Sequence, residues 1–270
     1  QGHITPMMQL AKTLHSKGFS ITVALGESNL VSLSQHFPDF QLVIIPESVP
    51  VSQIEKFGSL DFFLNVNKTY EANFKECVAQ LLLQQGNDIA CIIYDDFMYF
   101  CEAVAKDFNL LSVIFSSQSA TNEVCGYFLS KVNAEKFVIG IKDPDVPDKV
   151  VENLHPLRYK HLENLGMGPL EPFLEIFREI GSKKASAMII NTASCLESSS
   201  LTWLHQELRI PVFPIGPLHI TASENYSLLE EDRSCIEWLN KQKPRSVIYI
   251  SFGSKAHMEA KEVLEMAWGL

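Results

Sequence analysis

Ile89-Ala90-Cys91-Ile92-Ile93-Tyr94, followed at once by Asp95 and Asp96, is the stretch from which the architecture can be read. Its apolar residues run on without alternating with polar ones, as expected of a strand covered on both faces in a parallel sheet. The segment Leu111-Ser112-Val113-Ile114-Phe115 repeats the pattern and is likewise closed by polar residues, Ser116-Ser117-Gln118-Ser119. Between the two strands the spacing predicts a helix over residues 99–108, and another follows over 120–131. Upstream, Phe63, Val66, Tyr70, Phe74, Val78 and Leu81 form an apolar stripe on a long helix over 60–85, stopped by Gly86-Asn87-Asp88.

Further out, the alternation continues. Met7, Leu10, Ala11 and Leu14 lie on one face of a first helix that has Pro6 in its first turn and Gly18 after its end. Strands are predicted over 19–24 and 41–46 around a short helix over 28–37, then a loop from Pro46. A long excursion over 140–169, rich in Pro and Gly and including Arg158-Tyr159-Lys160, is expected to wrap the sheet edge. After it come helix 170–183, strand 187–191, helix 198–208 and strand 212–215. Such alternation means an open, mostly parallel sheet with right-handed crossovers, and ligands sit beyond the carboxyl ends of its strands. His3, Asp95, Ser116 and Ser117 should gather there. Residues 216–227 read as the start of a linker, followed by a helix over 234–240, a strand Val247-Ile248-Tyr249-Ile250-Ser251, the turn Phe252-Gly253-Ser254-Lys255 and a helix over 258–270.

With 270 residues the chain has room for roughly two domains. A net charge of −10 argues against a nucleic-acid or anionic-membrane surface and favours small-molecule partners. The six cysteines are scattered without a C-x-x-C pair, which reads as reduced thiols in a cytoplasmic protein. No apolar run reaches the ~18 residues of a membrane span. Asn67-Lys68-Thr69 and Asn225-Tyr226-Ser227 match a glycosylation pattern by chance in that setting. The chain starts without Met, on a loop expected to follow a strand, and stops within an apparent helix; a fragment is the expectation.

The candidate chemistry begins with His3. Unpaired N–H groups at a helix start disfavour a protonated imidazole, so a His there can act as a general base, although it can equally be a surface or capping residue. Asp95 can be a helix cap or a functional carboxylate. The strand, Gly-containing turn and helix around Gly253 and Ser254 suit an anion such as a diphosphate.

Read together, several stretches become specific: Gly2-His3-Ile4-Thr5-Pro6, Ile92-Ile93-Tyr94-Asp95-Asp96-Phe97-Met98, Ile190-Asn191-Thr192 with Leu196-Glu197, Pro214-Ile215-Gly216-Pro217-Leu218, Cys235-Ile236-Glu237-Trp238-Leu239 and Ser246-Val247-Ile248-Tyr249-Ile250-Ser251-Phe252-Gly253-Ser254. In this order they closely resemble plant UDP-dependent glycosyltransferases of secondary metabolism, family 1, in particular the subgroup that glucosylates flavonoids and similar phenolics. The resemblance implies an α/β fold of the GT-B type. Residues 1–215 would be the acceptor-binding, Rossmann-like N-terminal domain without its first strand. Residues 216–243 would be the interdomain linker, and 244–270 the start of the UDP-sugar-binding C-terminal domain.

The resemblance further implies that His3 is the catalytic base and Asp95 its support, Asp96 being set aside. Ser116 and Ser117 would line sugar and acceptor, and Gly253 and Ser254 would contact the UDP diphosphate. An unperturbed His pKa near ~6.5 suits removal of a proton from an attacking hydroxyl. The UDP-sugar is a co-substrate, a small hydroxylated compound is the acceptor, and neither cofactor nor metal is expected; the protein would work as a monomer. The family's Trp-rich box with its His-Cys-Gly-Trp element does not occur in the 270 residues, so this polypeptide alone is expected to show no transfer. A competing reading is a non-catalytic acceptor-binding module. A serine hydrolase is disfavoured, because no G-x-S-x-G elbow occurs, and the His spacing offers no H-E-x-x-H metal site.

Overall fold

The computed structural model describes residues 2–27, 36–46, 59–85, 88–131, 147–150, 158–160, 170–182, 184–221, 232–252 and 258–269. Helix α1 (Ile4–Ser16) starts ahead of Pro6, with His3 in the N-cap position, and ends where Gly18 takes a left-handed φ of 93°. Its apolar face serves two cores. Met8 packs with Leu25, Phe37 and Phe40 against a small parallel sheet of β1 (Thr22–Leu25) and β2 (Gln41–Ile44). Leu10 instead meets Phe115 and Leu218.

The larger sheet is parallel throughout, in the order β3 (Cys91–Asp95), β4 (Leu111–Ser116), β5 (Ala187–Ile190) and β6 (Val212–Pro214). Its connections are α3 (Phe100–Asp107) between β3 and β4, α4 (Ala120–Lys131) and α5 (Leu170–Ser182) between β4 and β5, and α6 (Ser194–Leu208) before β6. Helix α2 (Ser59–Gln85) precedes β3. The main core joins Val104 of α3, Leu174 and Ile176 of α5, Ile190 of β5 and Leu204 of α6, each at most 1% exposed. Burying each such side chain contributes about 1.5–3 kcal/mol, which is why the long apolar runs end as interior strands. Helices α4 and α5 approach so closely that a Cβ on Gly126 would lie 2.3 Å from the Phe177 ring.

Register fixes the rim of this sheet. Asp95 stands opposite Phe115, and Ser116 opposite Ile190, so the two polar strand ends lie side by side.

Three expectations need correction. Helix α7 (Leu218–Thr221) forms inside the stretch expected to open the linker, and Leu218 is only 1% exposed, because it fills the core between α1 and the sheet. Helix α6 is assigned from Ser194 rather than 198, although Glu197 has non-helical angles (φ −132°, ψ 34°) and regular helix resumes after it. Val247-Ile248-Tyr249-Ile250-Ser251 is not a strand: no described strand lies beside it to share ladder hydrogen bonds, and its side chains are exposed, Tyr249 to 87%. Helices α8 (Ser234–Leu239) and α9 (Ala260–Gly269) also bury no described side chain.

Most of the 28–37 helix, the loop after Pro46 and the 140–169 excursion fall outside the described residues. Within the excursion, an antiparallel bridge links Val150 to Arg158, whose guanidinium donates to the Asp148 carbonyl, and Lys160 Nζ lies 2.5 Å from Asp148 Oδ1. Among the described residues no helix is long and apolar enough to cross a membrane.

Candidate active site

The end of β3 and the start of α1 meet at the rim. His3 Nδ1 and Asp95 Oδ2 are 2.7 Å apart across 92 positions of sequence. A carboxylate accepts only, so the ring proton sits on Nδ1 and is donated to Asp95, which leaves the Nε2 lone pair free. The imidazole side chain is 43% exposed and the Asp95 side chain 14%, so the carboxylate lies inside and the ring opens toward solvent.

The chain after β3 is shaped to hold this carboxylate. Asp95 Oδ1 accepts the Phe97 N–H at 3.1 Å, and the Met98 N–H bonds to the Asp95 carbonyl at 2.7 Å. Asn67 on α2 latches the same turn, donating to the Phe97 carbonyl at 2.7 Å while its Oδ1 accepts the Phe100 N–H at 3.0 Å. Phe97 stacks on Phe63 with centroids 4.6 Å apart and meets the His3 ring edge-on at 5.6 Å. An apolar wall therefore fixes one side of the imidazole.

The two serines at the end of β4 divide. Ser117 Oγ is 3.4 Å from His3 Nδ1 and stands at the rim. Ser116 is fully buried; its hydroxyl donates to Glu123 Oε1 at 2.6 Å and accepts the Gln118 N–H at 3.1 Å. Both these bonds tie the strand-to-helix junction. Ser119 supplies the helix cap, accepting the Asn122 N–H at 3.1 Å. Gly253 and Ser254 lie outside the described residues.

Asp96 is 3% exposed, turned behind Asp95, and accepts from the Phe97 N–H at 3.1 Å and from Gln118 Nε2 at 3.0 Å. Ligand atoms of His3, Asp95 and Asp96 lie within 4.8 Å of one another, a spacing compatible with a metal ion. The short His3–Asp95 contact, however, commits the imidazole nitrogen and one carboxylate oxygen to each other.

The comparisons carry this geometry to a family. The chain is 70% identical to UDP-glycosyltransferase 76E5 of Arabidopsis thaliana over 100% of its own length and 61% of that relative. Over its whole length the chain is similar to UDP-glycosyltransferases. It is also 52% identical to flavonol 3-O-glucosyltransferase UGT76E12 of Arabidopsis thaliana, again over 100% of this chain and 60% of the relative. The crystal structure of Medicago truncatula UGT71G1 complexed with UDP-glucose superposes with a TM-score of 0.71 at 22% identity, covering 100% of this chain and 61% of that one. No protein-family model matches the chain. The chain thus spans about 60% of the length of the curated relatives it matches. Its α/β architecture, with parallel sheets and flanking helices, is the one the UDP-glycosyltransferase resemblance implied.

The least expected residue at this rim of the glycosyltransferase fold is Glu197. Its carboxylate accepts the N–H groups of Ala120 (2.8 Å) and Thr121 (3.0 Å) and the hydroxyls of Thr121 (2.9 Å) and Thr192 (2.5 Å). Burial alone would raise its pKa; the bonds from Thr192, Thr121 and Ala120 outweigh that and hold it below the usual carboxylate value. In the sequence it was only part of the Leu196-Glu197 motif, with nothing local to show that it caps α4 from a different element.

Proposed function

We propose that this protein is the acceptor-side part of an inverting UDP-sugar glycosyltransferase, moving glucose from a UDP-sugar to a hydroxyl of a small acceptor such as a flavonoid. The observation that carries the reading is the 2.7 Å contact between His3 and Asp95 at the carboxyl rim of a parallel sheet. His3 Nε2 takes the acceptor's hydroxyl proton as the oxygen forms its bond to the anomeric carbon. The bond from that carbon to the UDP oxygen breaks with its electron pair, so UDP leaves from the opposite face and the anomeric configuration inverts. Asp95 holds the ring tautomer and stabilises the imidazolium that forms, as the carboxylate does in a Ser-His-Asp triad.

Ser117, at the same rim, is the hydroxyl we assign to sugar or acceptor. Gly253 and Ser254 are assigned to the diphosphate on motif grounds. The mechanism needs neither metal nor cofactor, since the imidazole and carboxylate supply the proton transfer. We further infer that residues 1–215 with α7 form the acceptor domain, that the linker lies between α7 and residue 243, and that 244–270 open the donor domain. The relative named a flavonol 3-O-glucosyltransferase supports a phenolic acceptor, and the neighbour solved with UDP-glucose supports the donor.

The test uses the protein at the length of its curated relatives, with UDP-glucose and a panel of flavonols and simple phenols read by mass spectrometry. The expected result is gain of one hexose by at least one acceptor. His3→Ala should abolish transfer while leaving acceptor affinity, measured by calorimetry, nearly intact. Acceptor binding with no transfer by the unsubstituted protein would instead favour a non-catalytic binding module.

A further inference from the structure

The glycosylation-like triplet Asn67-Lys68-Thr69 lies inside α2, and its asparagine is 5% exposed, too deep in the fold to carry a glycan. The amide is fully engaged by the protein instead. Its Nδ2 donates to the Phe63 carbonyl one turn back at 2.9 Å and to the Phe97 carbonyl at 2.7 Å, while its Oδ1 accepts the Phe100 N–H at 3.0 Å. Two carbonyl partners and one N–H partner fix which amide atom is the nitrogen. Phe100 opens α3, whose own N-cap residue, Tyr99, makes no side-chain capping bond; Asn67 supplies an acceptor from another helix.

Phe97, the other partner, touches both members of the proton-transfer pair. Its N–H, shared with Asp96, bonds to Asp95 Oδ1 at 3.1 Å, and its ring meets the His3 imidazole edge-on at 5.6 Å. Phe63, one turn before Asn67 on α2, stacks on that ring at 4.6 Å. Helix α2 thus grips Phe97 twice, by its carbonyl and by its ring, from one face.

We propose that Asn67 is a positioning residue for the general base: by holding the Phe97 carbonyl it sets the turn after β3, so that Asp95 and the aromatic wall keep the His3 proton on Nδ1 and leave Nε2 to the acceptor. The proposal rests on the roles given to His3 and Asp95 above. Without the Nδ2 donor, a buried hydrogen bond of the Phe97 carbonyl is lost and the turn shifts to recover a partner. That shift passes to Asp95 through the Phe97 N–H and to the imidazole through the ring. Misplacement of a reacting group lowers the rate of the step more than the affinity for substrate.

The test uses the protein at the length of its curated relatives and two variants that both lose the Nδ2 donor. Asn67→Leu removes all three bonds at similar volume, whereas Asn67→Asp keeps the shape and an acceptor for Phe100, so a failure of one to fold leaves the other. Each should lower kcat with UDP-glucose about tenfold with little change in KM. Nitrogen-15 NMR of His3 should show the proton on Nδ1 in the unsubstituted protein and a mixture of both tautomers in the variants. Thr69→Val, which destroys the same triplet but whose lost hydroxyl bond runs to the Asn65 carbonyl of its own helix, should leave kcat and the His3 signals unchanged. A folded variant with the kcat of the unsubstituted protein, an unchanged His3 tautomer, or an equal loss in Thr69→Val overturns the proposal. Should the unsubstituted protein transfer no sugar at all, the proposed function falls, while the His3 nitrogen signals still decide whether Asn67 sets the imidazole.

Discussion

Glu197→Ala is the sharpest test of how the rim is built. The wild-type carboxylate closes α4 with two backbone N–H groups and two hydroxyls, and Ala120, which gives one of those N–H groups, is 0% exposed. Truncation leaves the Ala120 N–H buried without its acceptor. Losing a helix cap costs about 0.5–2 kcal/mol, and hydrogen bonds to a charged group are worth about 1.5–3 kcal/mol. The carboxylate is partly open to water, which can replace some of these bonds, so we expect a net loss of about 2–3 kcal/mol. Urea unfolding at neutral pH reads the stability, and amide exchange at Ala120 and Thr121 reads the local effect.

Acid titration adds a second signature. A carboxyl held below its unfolded value contributes stability that is present above that unfolded value and is lost as pH falls through the folded one. Glu197→Gln should therefore flatten the acid loss seen in the wild type, while costing less than Ala at neutral pH because one acceptor oxygen remains. A Glu197→Ala protein with wild-type urea midpoint and unchanged exchange at both amides would refute the capping argument.

Gly216→Ala should lose about 1–3 kcal/mol by overpacking, since the added Cβ would sit 2.5 Å from the Asn191 carbonyl carbon and 2.6 Å from Thr192 N; an unchanged urea midpoint would contradict this. His3→Ala should lower transfer by about 10²–10⁴-fold, and Asp95→Asn by less because its amide oxygen can still accept the Nδ1 proton; steady-state kinetics with UDP-glucose checks both. For Asp96 the folded pKa is raised, so its contribution is full below the unfolded value and is lost as pH rises through the folded one. Asp96→Asn should thus gain stability relative to wild type as pH climbs above the ordinary carboxylate range, by at most about 1.4 kcal/mol per pH unit, in paired urea titrations.

The alternating elements were legible because long apolar runs and helical stripes leave strong periodic marks, as at Ile92-Ile93-Tyr94 and along α2. His3 and Asp95 could be named from local motif and strand-end position, since a parallel sheet brings strand ends together by topology alone. Ser116 could not be separated from Ser117 in this way. Which of two adjacent residues at a strand end points inward depends on the pleat, and here the inward one is captured by Glu123 from the next helix. Long-range partners leave no periodic trace, so the contacts of Glu197 with α4, of Asn67 with the turn after β3 and of Asp96 with Gln118 could not be read from the sequence. Residues 247–251 misled for the opposite reason: their composition is that of a strand, but a strand exists only with a neighbour.

That same segment has a practical consequence. Ile248 is 66% exposed, Tyr249 87% and Phe252 59%, in an uncharged, mostly apolar run over 247–252 that follows Lys243 and Arg245. Segments of this kind seed intermolecular β-stacking and aggregation. Polypeptide of this length should clump as its concentration rises, and a lysine in place of Tyr249 should delay that clumping without disturbing the rim where His3 sits.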